Sequence, residues 1–302
     1  MDIHVLDNIE PWEWPANAAE IIVHALRDPT TSEHDRALAA YLAGEFVVIN
    51  DELADELIKI IEDPDAPPHV RSRAAIACGP ALEHTSTFEW DDPDDILISE
   101  ETFDRMCKSL RELYMDATAP KEVRRRALEG AVRAPENWQR DAIRAAYALD
   151  DPEWKLTAVF GMIYVRGFKK EILESLENSD KQIRFEAVRA AGANEVKEAW
   201  PHIARVLQHG AGDKDLLLEC LEAAPHVASK DDIELIAEHT HSSDDEIAET
   251  ASEALAMLTM SEDADWELDE DLQWDEDADE EFEGEEDWDE EGLDEEEDEE
   301  QF

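Results

Sequence analysis

Residues 118–132 read TAPKEVRRRALEGAV, and two other stretches repeat the same order of features: DPDAPPHVRSRAAIACG at 63–79 and NSDKQIRFEAVRAAG at 178–192. Each opens with the turn formers Asp, Ser, Thr or Pro. Each then places a branched apolar residue before an Arg and runs into an Ala-rich segment with apolar residues at helical spacing. DDPEWKLTAVFGMI (150–163) and SSDDEIAETASEAL (242–255) follow the same plan, and TTSEHDRALAAYLAG (30–44) and GDKDLLLECLEAA (212–224) follow it more loosely. Aligned on one small residue, the seven anchors are Ala37, Ala74, Ala127, Ala158, Ala187, Cys220 and Ala251, at spacings of 37, 53, 31, 29, 33 and 31. One long interval aside, this is a period of 29 to 37 residues, the length of a helical hairpin repeat.

A second amphipathic segment precedes each of these. Ala18–Leu26, Glu52–Ile61, Thr102–Tyr114, Trp138–Ala148, Lys169–Leu176, Ile203–Leu207 and Ile233–His239 supply them. In ELADELIKII (52–61), Leu53, Leu57, Ile58 and Ile61 fall on one helix face. No comparable stretch alternates with period two, so no sheet is expected. Asp63-Pro64, Thr118, Asp151-Pro152, Ser179 and Ser243 are expected to cap the second helices. The fold expected is all-α: an α-solenoid of about seven stacked hairpins over 1–260. A single hairpin cannot bury its apolar face alone, and a small anchor lets successive helices approach closely.

The turn followed by Val-Arg-x-x-Ala, in Val70-Arg71-Ser72-Arg73-Ala74, Val123-Arg124-Arg125-Arg126-Ala127 and Ile183-Arg184-Phe185-Glu186-Ala187, resembles the HEAT-like repeat of the phycobilisome-lyase type, over residues 17–259. The resemblance implies a helical repeat fold. As an alternative activity it implies that of lyases, which hold a tetrapyrrole on such repeats. Lys155, Leu217 and Ala248 depart from the Arg position. Arg71, Arg124 and Arg184 are expected on one side of the stack, paired with acids in the turns.

The chain carries 81 Asp and Glu against 26 Lys and Arg, a formal net charge of −55. Residues 261–302 hold 27 of the acids and none of the bases, which leaves 54 acids against 26 bases, or −28, in residues 1–260. A body of that sign repels phosphate backbones and anionic membranes, whereas basic proteins or peptides are attracted. No direct nucleic-acid partner and no membrane partner are therefore expected. The start, MDIHVLDNIEPWEW, has neither a basic stretch nor an apolar run, and no 18 consecutive apolar residues occur anywhere. Cys78, Cys107 and Cys220 are far apart and odd in number, as free thiols in a reducing cytoplasm would be.

Motifs that carry chemistry are missing. There is no HExxH, no His-Glu dipeptide of the kind that repeats in di-iron helical-repeat hydroxylases, no close Cys pair, no Gly-rich phosphate loop and no GxSxG. His202 and His209 share a helix spacing but lack a third ligand. No catalytic residue, cofactor or metal is expected. The candidate binding residues are aromatic instead. Trp12 and Trp14 stand in PWEWP (11–15) as partner anchors or as a cap on the first repeat. Phe88 and Trp90 lie in an insertion loop at 85–98. The acidic segment 261–302 is expected to stay disordered, with Trp266, Trp274, Phe282, Trp288 and the terminal Phe302 set into it. The sequence thus points to a non-catalytic scaffold that binds a protein with a basic surface. The alternatives are a HEAT-repeat enzyme of phycobilin-lyase-like type and an acidic chaperone or competitor of nucleic-acid-binding proteins.

Overall fold

The computed structural model describes residues 3–88, 96–210, 212–229 and 232–264, and the described residues form helices and turns with no strand. A short α1 (Ile3–Leu6) precedes the first hairpin, α2 (Ala18–Arg27) with α3 (Glu33–Leu42). The second is α4 (Asp51–Glu62) with α5 (Pro68–Ala77). An additional α6 (Gly79–Phe88) follows before α7 (Glu100–Met115) pairs with α8 (Lys121–Ala131). Then come α9 (Asn137–Ala148) with α10 (Pro152–Gly161), α11 (Lys169–Ser175) with α12 (Lys181–Ala193), α13 (Trp200–His209) with α14 (Lys214–Val227), and α15 (Ile233–His239) followed by α16 (Asp245–Ala264). No described helix is long and apolar enough to cross a membrane.

Successive second helices pack on one another, from α3 through α5, α8, α10 and α12 to α14, within the compact unit Met1–Thr259. The anchors explain how they come so close. Ala74, Ala127, Ala158, Ala187, Cys220 and Ala251 are all wholly buried. Three residues beyond each lies a second small buried residue: Ala77, Gly130, Gly161, Ala190, Ala223 and Ala254. This row is legible in the sequence once the first is aligned. A Cβ on Gly130 would stand 2.4 Å from the Ala75 carbonyl oxygen, and one on Gly44 would stand 2.3 Å from that of Ala77. At these two crossings only glycine fits, because the obstacle is backbone and cannot swing aside.

The first repeat aligns differently from the expectation. Arg36 donates to the Asp28 carbonyl (2.9 Å) at the end of α2, as Arg71 donates to the Ile61 carbonyl (2.7 Å) at the end of α4. Arg36 therefore corresponds to Arg71, and Ala39, wholly buried, is the anchor rather than Ala37. The arginines themselves also differ from expectation. Arg124 donates to the Tyr114 carbonyl (2.9 Å), and Arg184 to the carbonyls of Asn178 (2.7 Å) and Ser179 (3.0 Å), so none of the three pairs with a turn acid in this way. The last carbonyls of a helix have no partner within it and carry its negative dipole end, so a guanidinium there meets both needs.

Asp151 caps α10 as expected, accepting from the Glu153 (3.0 Å) and Trp154 (3.3 Å) amides. Asp63 and Thr118 do not cap second helices. Asp63 ends α4 and accepts from the Asp65 amide (2.9 Å), while Thr118 donates to Asp116 (2.8 Å through its amide) in the equivalent turn. Asp180, not Ser179, caps α12. The insertion begins as helix rather than as the loop expected at 85–98, since residues 85–88 belong to α6. Ala81, Leu82 and Thr85 are buried, which gives that segment a packed face of its own. Ile98 is buried too, and Ser99 caps α7 while its amide donates to Asp51 (2.8 Å).

Candidate functional site

The small anchors of the second helices face their neighbours, so the residues one and two before each anchor and two after it lie on the other side of that layer. Two grooves open there at the same helix phase. The first, of about 570 Å³, lies across α3, α5 and the start of α8, and includes His34, Leu38, Tyr41, His69, Arg73 and Glu122, with His4 and Asp7 alongside. The second, of about 510 Å³, lies across α8, α10, α12 and α14. Its apolar lining is Leu156, Phe185 and Leu216, and its charged lining is Arg126, Lys181, Glu186, Asp213 and Asp215. Both draw on the residues five, two and one before the anchor, which is why they recur. With histidines neutral they carry the same net charge of −1: Arg73 against Asp7 and Glu122 in the first, Arg126 and Lys181 against Glu186, Asp213 and Asp215 in the second.

Between and beside the grooves, charged side chains form one connected face. Glu129 is buried and takes an ion pair from Arg126, a hydrogen bond from the Thr157 hydroxyl (2.5 Å) and a looser contact with Arg125 (3.7 Å). Arg125 in turn donates through Nε to the Thr157 hydroxyl (2.9 Å). A buried carboxylate held by two guanidiniums and a hydroxyl is satisfied, and this set acts as structure. Arg133 bridges Glu83 (2.8 Å) and lies over the rings of Phe160 (5.7 Å) and Tyr164 (5.6 Å).

The balance fails farther along. Arg189 is 3.1 Å from Glu186 and 3.8 Å from Glu219, one guanidinium for two half-buried carboxylates. Burial raises the Glu186 carboxyl, an effect Arg189 opposes and Glu129 reinforces. At Glu219, burial again dominates over Arg189, and Glu222 and Glu186 add repulsion, so its carboxyl is pushed up to about 7. A carboxyl at that value is part-protonated at neutral pH, because burial outweighs the one guanidinium it shares. Arranged in this way, the face can accept cationic side chains around α12 and α14.

The aromatic candidates separate. Trp14 is half-buried against the core, and its Nε1 donates to the carbonyls of Leu6 (3.0 Å) and Ile9 (3.2 Å), which ties α1 to the first hairpin. It caps the first hairpin. Trp12, two residues earlier, is 77% exposed beside the exposed Val47. Phe88 ends α6, while Trp90, Trp266, Trp274, Phe282, Trp288 and Phe302 lie outside the described residues. His202 lies 2.7 Å from Glu177, and His209 is exposed at the end of α13. Among the described residues no group of His, Cys, Asp and Glu is arranged to hold a metal ion. Cys78 and Cys220 are buried and Cys107 partly so. Burial pushes the thiols of Cys107 and Cys220 up to about 12, which makes them poor nucleophiles.

No family model matches the chain, and no curated protein matches it. Among solved structures, human deoxyhypusine hydroxylase in complex with glycerol is similar at 17% identity, over 85% of this chain and 88% of that one, with a TM-score of 0.38. An engineered protein is similar at 17% identity over 85% of this chain and 70% of that one, with a TM-score of 0.44. A designed armadillo repeat protein in complex with the peptide (KR)4 is similar at 17% identity over 85% of each chain, with a TM-score of 0.27. These likenesses concern fold alone, and the chain is a helical repeat protein.

Proposed function

We propose that the chain is a HEAT-like interaction scaffold, non-catalytic, that binds a protein with a basic surface through the exposed side of its second-helix layer, aided by the acidic segment 261–302. The observation that carries this reading is Glu219. Burial pushes its carboxyl up to about 7, and the one guanidinium beside it, Arg189 at 3.8 Å, also serves Glu186 at 3.1 Å while Glu222 adds repulsion. A partner's Lys or Arg would supply the missing charge and favour the ionised form. The net −28 of residues 1–260 adds long-range attraction for the same partners and repulsion for nucleic acid. Titration calorimetry of the full chain with an arginine-containing peptide, at about 0.15 M salt, tests it. Binding that weakens in Glu186→Gln and Glu222→Gln is expected, with no retention of duplex DNA. Binding that is unchanged in both variants would move the site off this face.

A further inference from the structure

PWEWP (11–15) sets two tryptophans on one short turn and uses them differently. Pro11–Glu13 is a single 3₁₀ turn, closed by the Glu13 amide on the Glu10 carbonyl (2.8 Å) and the Trp14 amide on the Pro11 carbonyl (3.2 Å). Trp14 is pinned through its ring to the carbonyls of Leu6 and Ile9, and the proline that follows favours its extended backbone. The same fixed turn therefore holds Trp12 in place, but with its ring in solvent. Trp12 lines a cleft of about 310 Å³ with Pro11, Pro15, Ala16, Ala19 and the exposed Val47, between the turn, the start of α2 and the chain that leads into α4. Phe46, also exposed, leans on the His84 ring instead (5.7 Å).

The surroundings of this cleft are acidic and uncompensated. Neither residues 1–26 nor residues 37–58 contain a Lys or Arg. Glu10 and Glu13, both exposed, flank Trp12 in the chain, and Glu45 lies two residues before Val47. The arginine nearest in sequence, Arg27, is taken by Glu52 (2.8 Å) and Glu56 (2.7 Å), and among the described residues Glu10, Glu13 and Glu45 join no ion pair. Burial raises the Glu45 carboxyl, with no cation opposing it. An apolar cleft among unpaired acids suits a ligand that is apolar at its centre and cationic on either side. A second copy of the chain would instead bring the same acids and a net charge of −55. We infer that this cleft is a second docking site, whose occupant is a short partner segment with one bulky apolar side chain between Lys or Arg residues. The apolar side chain packs between Trp12 and Val47, and the cations lie toward the acids. Because the turn is already fixed, Trp12 costs little to order on binding. The cleft shares no residue with either groove of the second-helix layer, so the inference goes beyond the scaffold reading and does not rest on that face.

The test uses the full chain and three labelled peptides of equal length, read by fluorescence anisotropy at about 0.15 M salt. The first has Phe between two pairs of Lys, the second has Ser in place of that Phe, and the third has Glu in place of each Lys. The Phe-Lys peptide is expected to bind about tenfold tighter than the Ser-Lys peptide, and the Phe-Glu peptide is expected not to bind. Trp12→Ser should abolish the preference for Phe over Ser. Glu10→Gln combined with Glu13→Gln should weaken the Phe-Lys peptide by about threefold, and circular dichroism should show both variants folded. Equal affinity for the Phe-Lys and Ser-Lys peptides, or a preference that survives Trp12→Ser, overturns the inference. If the preference survives Trp12→Ser but is lost in Glu186→Gln and Glu222→Gln, the segment sits on the second-helix face, so the scaffold reading stands and this one falls. A Phe-Glu peptide that binds as tightly as the Phe-Lys one overturns the basic occupant. Sedimentation equilibrium of the chain alone should show no dimer that Trp12→Ser dissolves; such a dimer would make the cleft a contact between copies and overturn the inference.

Discussion

Along α8, Val123, Ala127 and Gly130 are closed off between neighbouring helices, while Arg126, one residue before the anchor, is half-exposed on the opposite side. The same division runs through the whole second-helix layer. On the packed side every repeat from the second onward keeps two small residues, because the limit there is the distance between backbones. On the open side the corresponding residues run from Arg73 through Arg126 and Thr157 to Glu186 and Glu219, with no common size or charge. The packed side therefore carries stability in every repeat, whereas the opposite side carries it only where polar groups are buried together, as at Arg125, Glu129 and Thr157, and elsewhere one repeat can differ from the next.

The comparison is most exposed to failure at Gly130. Gly130→Leu should destabilise by about 3 kcal/mol or more, since the added atoms meet the Ala75 carbonyl and cannot be relieved by a rotamer change. A urea midpoint within error of wild type would show that the helices are free to separate. Ala187→Leu should cost on the order of 1–3 kcal/mol, because the anchor is wholly buried. An unchanged melting temperature would place Ala187 away from a packed interface.

Arg124→Ala tests the arginines that close the first helices. Arg124 gives its Nε to the Tyr114 carbonyl and lies over the rings of Tyr114 (5.6 Å) and Trp154 (5.7 Å). Its loss should cost about 2 kcal/mol, and Arg124→Lys should recover only part, since an ammonium cannot cover both rings. Full stability in Arg124→Ala would reduce these contacts to incidental ones.

The open side should announce itself through pH. A carboxyl raised in the folded state favours the protonated form there, so its contribution to stability is present at low pH. That contribution is lost as pH climbs from the unfolded value, near 4.5, through about 7 at Glu219. Stability should thus fall between about pH 5 and 8, and Glu219→Gln should flatten that fall relative to wild type. Identical pH profiles for the two proteins would remove Glu219 from the account. Smallest of all is the contrast at the N-terminus. Trp14→Phe should cost about 1 kcal/mol through its two lost hydrogen bonds, while Trp12→Ser should stay within about 0.5 kcal/mol. Equal effects on thermal unfolding would erase the distinction between cap and exposed ring.

The hairpins were legible because burial repeats along the chain. Ala127, Ala158, Ala187, Cys220 and Ala251 recur at a helix-pair period, and the amphipathic ELADELIKII announces α4 without any tertiary information. The second row of small residues, from Ala77 to Ala254, was equally written there and needed only the first alignment. The first repeat was harder, because Ala37 and Ala39 both match the pattern and only the bond from Arg36 to Asp28 distinguishes them. Of the aromatic candidates, Trp12 and Trp14 look alike in PWEWP, and only the position of the carbonyls of Leu6 and Ile9 makes one a cap.

What the sequence determined by itself was the number of hairpins, the helical content and the small spacers between second helices. These follow from local periodicity and residue volume, which need no knowledge of distant contacts. Only the tertiary structure decided which charges meet. Arg189 shares Glu186 and Glu219 from the adjacent α14, and Arg71 turns to a carbonyl ten residues earlier rather than to an acid. In a chain with 81 carboxylates, composition offers every cation many partners. Coulomb energy and desolvation change over a few ångströms, so the choice among those partners, and with it the charge of each groove, is made only when the helices are stacked.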